Sequence, residues 1–291
     1  MKSHAALLSR LFLILLMMQL GAACTVRSWE SQPQTGLLPV PDEKKLTAEE
    51  EKAGLIWHSF SVKASNAEGL SGPFRIAANL RYSDETGENT RVSALLWGNG
   101  KQNSPYPLRL DLVAGIGTVV AKIQEDADKF TAYSPDEKTA YTHAGDNSSL
   151  TSFGVPIPLT LGDLTLLLTG RCGRLFLPVG PRSVDVPPFM NLSDNGASFT
   201  LAGARLPGIL ELSSSGAPLK WRELKEDGWV IGMEPSKKNP LQPEKLRISH
   251  PLGYSALITV KEVSRVSPPY NSAQLHLALP PGTKVKAMEQ D

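Results

Sequence analysis

The feature that most constrains the fold of this chain is a regular alternation of apolar and polar residues over short segments. In residues 74–82, which read FRIAANLRY, every second residue counted from the first is apolar, while Arg75, Asn79 and Arg81 lie between them. Successive side chains of a β-strand point to opposite faces, so this spacing predicts a half-buried strand.

The same alternation returns along most of the chain. Residues 106–114 place Leu108, Leu110 and Leu112 on one face. Turn residues, such as the Asp and Gly of residues 84–87 and the Pro and Asp of residues 134–136, separate the segments. Further strands are predicted at residues 91–98, 118–124, 129–133, 140–143, 197–201, 208–212, 219–224, 229–233, 246–249, 256–261 and 273–279. Many short strands with such punctuation indicate one large antiparallel sheet or barrel.

Two segments predict helices instead. Thr47 and Glu50 have the spacing of a capping box, and the residues after them carry an apolar stripe at helical spacing that includes Trp57 and Phe60. Residues 161–169 carry a second stripe of Leu164, Leu167 and Leu168, and a glycine follows.

These helices are too few to cover both faces of a sheet of this size. The apolar face must therefore curl on itself or lie under the helices, which predicts a mainly β fold with a large curved antiparallel sheet and a helical cover. Leu, Val, Ile and Ala dominate its inward positions, and only 7% of the residues are aromatic. Aliphatic side chains of this size leave room for an acyl chain inside the sheet, but they can also fill the interior of a small barrel. The residues leave both possibilities open.

The N-terminus has the pattern of a secreted lipoprotein. Lys2 and Arg10 precede an apolar run, and small residues lead to Cys24. Residues 1–23 are therefore predicted to be a signal peptide, and this arrangement resembles a bacterial lipobox, in which the cysteine is acylated, for example with palmitate. Cys24 would then be the first mature residue and the membrane anchor. Because Thr25 is not the aspartate that retains some lipoproteins at the inner membrane, the expected location is the periplasmic face of the outer membrane of a Gram-negative bacterium.

Composition divides the rest of the chain. Residues 24–45 are rich in Pro, Ser, Gln and Glu and are predicted to be a flexible tether. Residues 46–281 form the predicted single domain, and residues 282–291 a disordered tail. The remaining cysteine, Cys172, has no second cysteine with which to pair and is interpreted as a buried apolar residue, although the neighbouring Arg171 and Arg174 leave a reactive thiol as the alternative.

Charge and motifs argue against several functions. The formal net charge of +1 becomes −1 when Lys2 and Arg10 leave with the leader, so no basic surface predicts nucleic acid as a partner. The histidines stand alone, with no metal-ligand spacing, and neither a phosphate-binding glycine loop nor a nucleophile elbow occurs. We therefore expect no enzyme activity, no metal and no cofactor.

Several segments together resemble a known family. After the lipobox and the first helix come, in order, GPFRIAANLRY, RVSALLWGN, YPLRLDLVAGIGTVVAKI, FTAYSPDEKTAYTH and FGVPIPLTLGDLTLLLTGR. They resemble the LolB-like outer-membrane lipoproteins and their LolA carrier relatives, over about residues 50 to 175.

This resemblance implies an incomplete antiparallel barrel, a helical lid and a hydrophobic cavity that takes acyl chains of lipids or lipoproteins, without catalysis. By position, the lid and the cavity wall would comprise Trp57, Phe60, Leu108, Leu110, Leu112, Leu164, Leu167 and Leu168. The first hypothesis is therefore a membrane-anchored lipid-binding lipoprotein that works in lipoprotein localisation or lipid transport. The second is a structural or assembly lipoprotein whose barrel is filled and which acts through protein contacts.

Overall fold

The structure is a computed structural model, and it describes residues 47–67, 72–100, 105–145, 150–178, 189–193 and 195–288. The predicted signal peptide, Cys24 and the tether lie outside the described residues. The strands are β1 Phe74–Ser83, β2 Asn89–Gly98, β3 Leu108–Ala114, β4 Thr118–Glu125, β5 Lys129–Ser134, β6 Thr139–Ala144, β7 Phe189–Ser193, β8 Gly196–Leu201, β9 Gly208–Ser213, β10 Pro218–Arg222, β11 Val230–Pro235, β12 Pro243–Ser249, β13 Ser255–Arg265 and β14 Lys284–Ala287. The helices are α1 Ala48–Asn66, α2 Leu161–Leu168, α3 Gly173–Phe176 and α4 Ser272–Leu275, with a 3₁₀ turn at Leu150–Phe153.

All these strands belong to one 14-stranded sheet. Strands β1 to β6 follow one another as an antiparallel meander, and β7 to β13 form a second meander. The two meanders are joined side by side, because β1 pairs antiparallel with β13. The strand β14 then adds to β6 in parallel. The sheet ends at β14 and β7, so it remains an open sheet and not a closed barrel.

The sheet curves around α2. Glu125 at the end of β4 accepts a hydrogen bond from the backbone of Gly162 in α2, and Arg205, between β8 and β9, forms an ion pair with Asp163 of the same helical turn. In the sheet order β4 and β9 are many strands apart. Neighbouring strands lie about 4.8 Å apart, so a flat sheet would separate these strands by roughly 40 Å. Glu125 and Arg205 can contact the same turn of α2 because the sheet wraps around this helix.

One apolar core lies inside this curve. It includes residues from β1 to β5, from β8 to β13 and from α1, α2 and α3. Every residue of α2 is buried. The sequence predicted an amphipathic lid helix with one apolar stripe, whereas the structure places α2 in the interior, with neighbours on all sides.

The first helix forms as predicted and covers a different part of the sheet. Thr47 and Glu50 make the capping box that starts α1. The ring of Trp57 lies 5.1 Å from that of Phe199 in β8. Lys63 donates a 2.6 Å hydrogen bond to the carbonyl of Ser215, in the turn between β9 and β10. The apolar stripe of α1 thus packs over the β8–β9 region.

The mainly β fold class is confirmed, but the prediction for residues 273–279 is wrong. Ser272–Leu275 forms α4, because Asn271 and Gln274 make a capping box, and residues 276–279 belong to no strand. The structure also has two strands that the sequence analysis did not predict. Phe189–Ser193 forms β7, and Lys284–Ala287 forms β14 inside the predicted disordered tail.

Candidate functional site

The candidate site is the interior between α2 and the sheet. The helix α2 starts at Thr160, whose hydroxyl accepts a 2.9 Å hydrogen bond from the amide of Asp163. The hydroxyls of Thr165 and Thr169 donate to carbonyls one turn back, so these buried polar groups have partners inside the helix. The helix ends at Leu168, and Gly170 follows its C-cap with a positive φ of 76°, which suits a residue without a side chain. The threonine hydroxyls of this helix are thus satisfied locally.

Two carboxyl groups hold the first turn of α2. Glu125 is buried, and it accepts hydrogen bonds from the Tyr106 hydroxyl at 2.8 Å and from the Gly162 amide at 3.3 Å. Burial raises the pKa of Glu125 to about 7, against the hydrogen bonds that lower it. Asp163 forms a 2.6 Å ion pair with Arg205. These contacts connect α2 to β4 on one side and to the β8–β9 connection on the other.

A small apolar cavity of ≈ 30 Å³ lies below the rest of α2. An engineered cavity of about 150 Å³ is large enough to bind benzene, so this one is far smaller than a ligand cavity. All the residues that line it are apolar: Ile76, Ala78, Leu80, Ala94, Leu96, Leu110, Leu112, Leu150, Val155, Ile157, Leu164, Leu168 and Ile258. The side chains of α2, of residues 150–157 and of the sheet therefore fill most of the interior.

The structure brings together half of the residues that the sequence analysis proposed for the cavity and lid. Leu110, Leu112, Leu164 and Leu168 line the cavity. The other four, Trp57, Phe60, Leu108 and Leu167, are buried in the same core but do not line it. Two of them, Trp57 and Phe60, belong to α1, which packs over β8 and β9.

Sequence reasoning missed other lining residues. Ile76, Ala78 and Leu80 were already on the apolar face of the predicted strand at residues 74–82, so the alternation was a usable signal for them. Leu150, Val155 and Ile157 come from the irregular segment before α2, which has no periodic pattern to indicate its place.

Cys172 belongs to the same apolar core, as a buried residue, in agreement with its interpretation from the sequence. Burial raises the pKa of the Cys172 thiol to about 12, so the arginines beside it do not activate it. Among the residues that the structure describes, no group of three or more histidine, cysteine, aspartate or glutamate side chains could hold a metal ion. None of the helices within the same residues is long and apolar enough to cross a membrane.

The fold and interior define a class: an open antiparallel sheet wrapped around a buried apolar helix. Its overall architecture is similar to that of a LolA superfamily protein from Nitrosomonas europaea, at 10% identity over 75% of this chain and 94% of that one, with a TM-score of 0.43. It is also similar to a DUF1329 family protein from Desulfovibrio piger, at 11% identity over 77% of this chain and 97% of that one, with a TM-score of 0.48.

A further similar structure is a putative outer membrane lipoprotein-sorting protein domain from Vibrio parahaemolyticus, at 11% identity over 77% of this chain and 96% of that one, with a TM-score of 0.44. No protein-family model matches the sequence. No curated protein matches it either.

Proposed function

We propose that this chain is a non-enzymatic, membrane-anchored lipoprotein that binds acyl chains of lipids or lipoproteins between α2 and the sheet. The observation that carries the proposal is the wholly apolar lining of the cavity under α2. Such a lining offers an acyl chain no polar group to satisfy and attracts it only by removing methylenes from water. Selectivity among acyl chains is therefore expected to be loose.

Binding requires α2 and the segment before it to move. A cavity of ≈ 30 Å³ is too small for an acyl chain, so the chain must replace the side chains that now fill the interior. Leu164 and Leu168 of α2 make apolar contacts that an acyl chain can make equally well, at about 25 cal/mol for each Å² of apolar area. The apolar area that the acyl chain removes from water is therefore about balanced by the area that the two leucines expose. The ion pair between Asp163 and Arg205 then opposes the displacement.

The proposed anchor is Cys24, with the bilayer as its partner. Each buried methylene of an acyl chain contributes about 0.8 kcal/mol, so a multiply acylated cysteine holds a protein firmly on a membrane. Labelling of cells with radioactive palmitate tests this directly. The full chain is expected to take up label, and the Cys24→Ser chain is not. Separation of the two membranes on a density gradient then tests the outer-membrane location.

Lipid binding is tested on protein that begins at Thr25, by mass spectrometry of extracted lipid and by titration with a fluorescent fatty acid. The informative variant is Asp163→Asn, which removes the ion pair to Arg205 with little change of shape. If α2 must move, this variant binds the fatty acid faster and more tightly. The matched control is Glu211→Gln, which removes an ion pair to Lys220 on the sheet surface and is expected to leave binding unchanged.

The second candidate function is a structural or assembly lipoprotein that acts through protein contacts. The small volume of the interior cavity favours it. A folded protein that carries no extracted lipid, and whose Asp163→Asn variant binds no fatty acid, would support this candidate and contradict the first.

A further inference from the structure

A second concave region lies on the solvent face of the sheet, across β2, β1 and β13. It is a groove of ≈ 340 Å³. Its polar side chains alternate along β1 with the buried Ala78 and Leu80, so they point away from the interior. These polar residues are Asn79, Arg81, Arg91, Ser93, Thr259 and Lys261. We call this region the outer groove, and no acidic residue lines it.

Two arginines face each other across the outer groove. Arg81 of β1 is the direct antiparallel partner of Arg91 of β2. Residues in such pairs have Cβ atoms about 5 Å apart, and like charges placed there destabilise a sheet. The next residues on the same face of the sheet are polar and uncharged. Asn79 lies opposite Ser93 on one side and Thr259 on the other. The sheet thus holds an unfavourable charge pair beside neutral hydrogen-bonding groups.

A β-bulge adds a third cation. In the pairing of β1 with β13, Ala77 is opposite Glu262 and Ala78 is opposite Val260, which leaves Lys261 without a partner. Bulges change the direction in which a side chain points and often occur next to functional sites. Here Lys261 lines the same groove as Arg81 and Arg91.

Some cations elsewhere on the sheet are neutralised by ion pairs. Lys245 and Arg247 of β12 form ion pairs with Glu234 at 2.9 and 2.7 Å, and Lys220 of β10 forms one with Glu211 at 3.2 Å. In the part of the chain that the structure describes, none of the three cations of the outer groove has such an ion pair. Their charge therefore remains available to a ligand.

We propose that the outer groove binds a phosphate group, either free or as part of a lipid headgroup. The arginine guanidinium presents paired N–H donors that match two oxygens of a phosphate. The hydroxyls of Ser93 and Thr259 and the amide of Asn79 can donate to the remaining oxygens. A bound dianion or monoanion also relieves the repulsion between Arg81 and Arg91. This site is independent of the apolar interior and does not rest on its function.

The test is calorimetric titration of the full chain with inorganic phosphate and, separately, with dihexanoyl phosphatidylglycerol below its micelle concentration. Saturable binding of either probe is expected, and the probe that binds identifies the source of the phosphate. Arg81→Gln is expected to weaken that binding by about tenfold or more. It is also expected to raise the melting temperature of the unliganded protein, since it removes the like-charge pair. If Arg81 had only a structural role, Arg81→Gln would instead lower the melting temperature.

The matched control is Arg247→Gln, a cation of the same face that lies outside the groove and pairs with Glu234. It should leave phosphate binding unchanged. Lys261→Gln provides a second groove variant if Arg81→Gln fails to fold. Absence of saturable binding of both probes would overturn the proposal, as would an equal loss of binding in Arg247→Gln.

Discussion

The hydroxyl of Tyr106 donates a 2.8 Å hydrogen bond to Glu125, whose other carboxylate oxygen accepts from the amide of Gly162. A buried, ionisable carboxyl group therefore lies against the first turn of the interior helix α2. The negative charge of Asp163 in α2 also raises the pKa of Glu125, and Asp163 pairs with Arg205 from the β8–β9 connection. The charge state of Glu125 is thus coupled to the packing of α2.

This coupling predicts that stability falls as the pH rises. The pKa of Glu125 is raised from the ordinary 4.5 to about 7, so the folded state binds the proton more tightly than the unfolded state does. The stability that this proton adds is complete below pH 4.5, decreases as the pH rises toward 7 and is lost above it. The whole effect is on the order of 3 kcal/mol. Urea unfolding at about pH 5 and about pH 8 measures it.

Glu125→Gln is the matched variant, since its neutral amide resembles the protonated acid. It is expected to remove most of this pH dependence and to be more stable than the parent above pH 7. Glu244→Gln, at an exposed position of β12, serves as the control and should keep the parent's pH profile. An unchanged profile in Glu125→Gln would show that this carboxyl does not control the stability.

Two helical glycines should respond in opposite ways to substitution by alanine. A Cβ on Gly162 would overlap the Tyr106 hydroxyl and lie 2.9 Å from Tyr106 Cζ, so Gly162→Ala must push Tyr106 away from Glu125. A loss of about 1–3 kcal/mol is expected. Gly54 of α1 has open space at the same position, and Gly54→Ala should gain up to about 1 kcal/mol from helix propensity. Chemical unfolding of both variants measures the difference, and a loss in both would contradict the argument.

The alternation of apolar residues predicted most strands, because each of those strands buries one face. The strand β14 gave no such signal, since all four of its residues are exposed and it is held by backbone pairing to β6. The opposite error occurred at residues 273–279. Leu275 and Leu277 are both buried, but Leu277 donates its amide to the side chain of Gln124 and not to a neighbouring strand. Alternating burial therefore does not require a sheet.

The candidate site was only half predictable for a similar reason. Of the predicted stripe of Leu164, Leu167 and Leu168, the first and last line the cavity and Leu167 does not. That stripe did not reveal that the other side of α2 is also buried, because the covering residues come from distant and irregular parts of the chain. Whether the interior is filled depends on how these parts pack, and a local pattern of residues carries no information about it.

The packing of α2 against the cavity predicts a large cost for shortening its side chains. Leu168 is 2% exposed and lines the cavity. Leu168→Ala should destabilise the fold by about 2–5 kcal/mol, through lost apolar contacts and the larger void. Leu55 of α1 is 72% exposed, so Leu55→Ala should change stability by less than about 0.5 kcal/mol. Urea unfolding measures both, and similar small effects would contradict the buried position of α2.

The last prediction concerns the reactivity of the Cys172 thiol. It is tested in a Cys24→Ser background, so that any labelling comes from Cys172 alone. This thiol is fully buried, and burial raises its pKa to about 12. Only the thiolate reacts with disulfide reagents, so labelling of the folded protein at about pH 8 should be slow and limited by opening of the structure. Guanidinium chloride should make labelling fast, and Cys172→Ala should abolish the signal. Labelling of the folded protein as fast as that of the unfolded chain would mean that Arg171 and Arg174 activate an exposed thiolate.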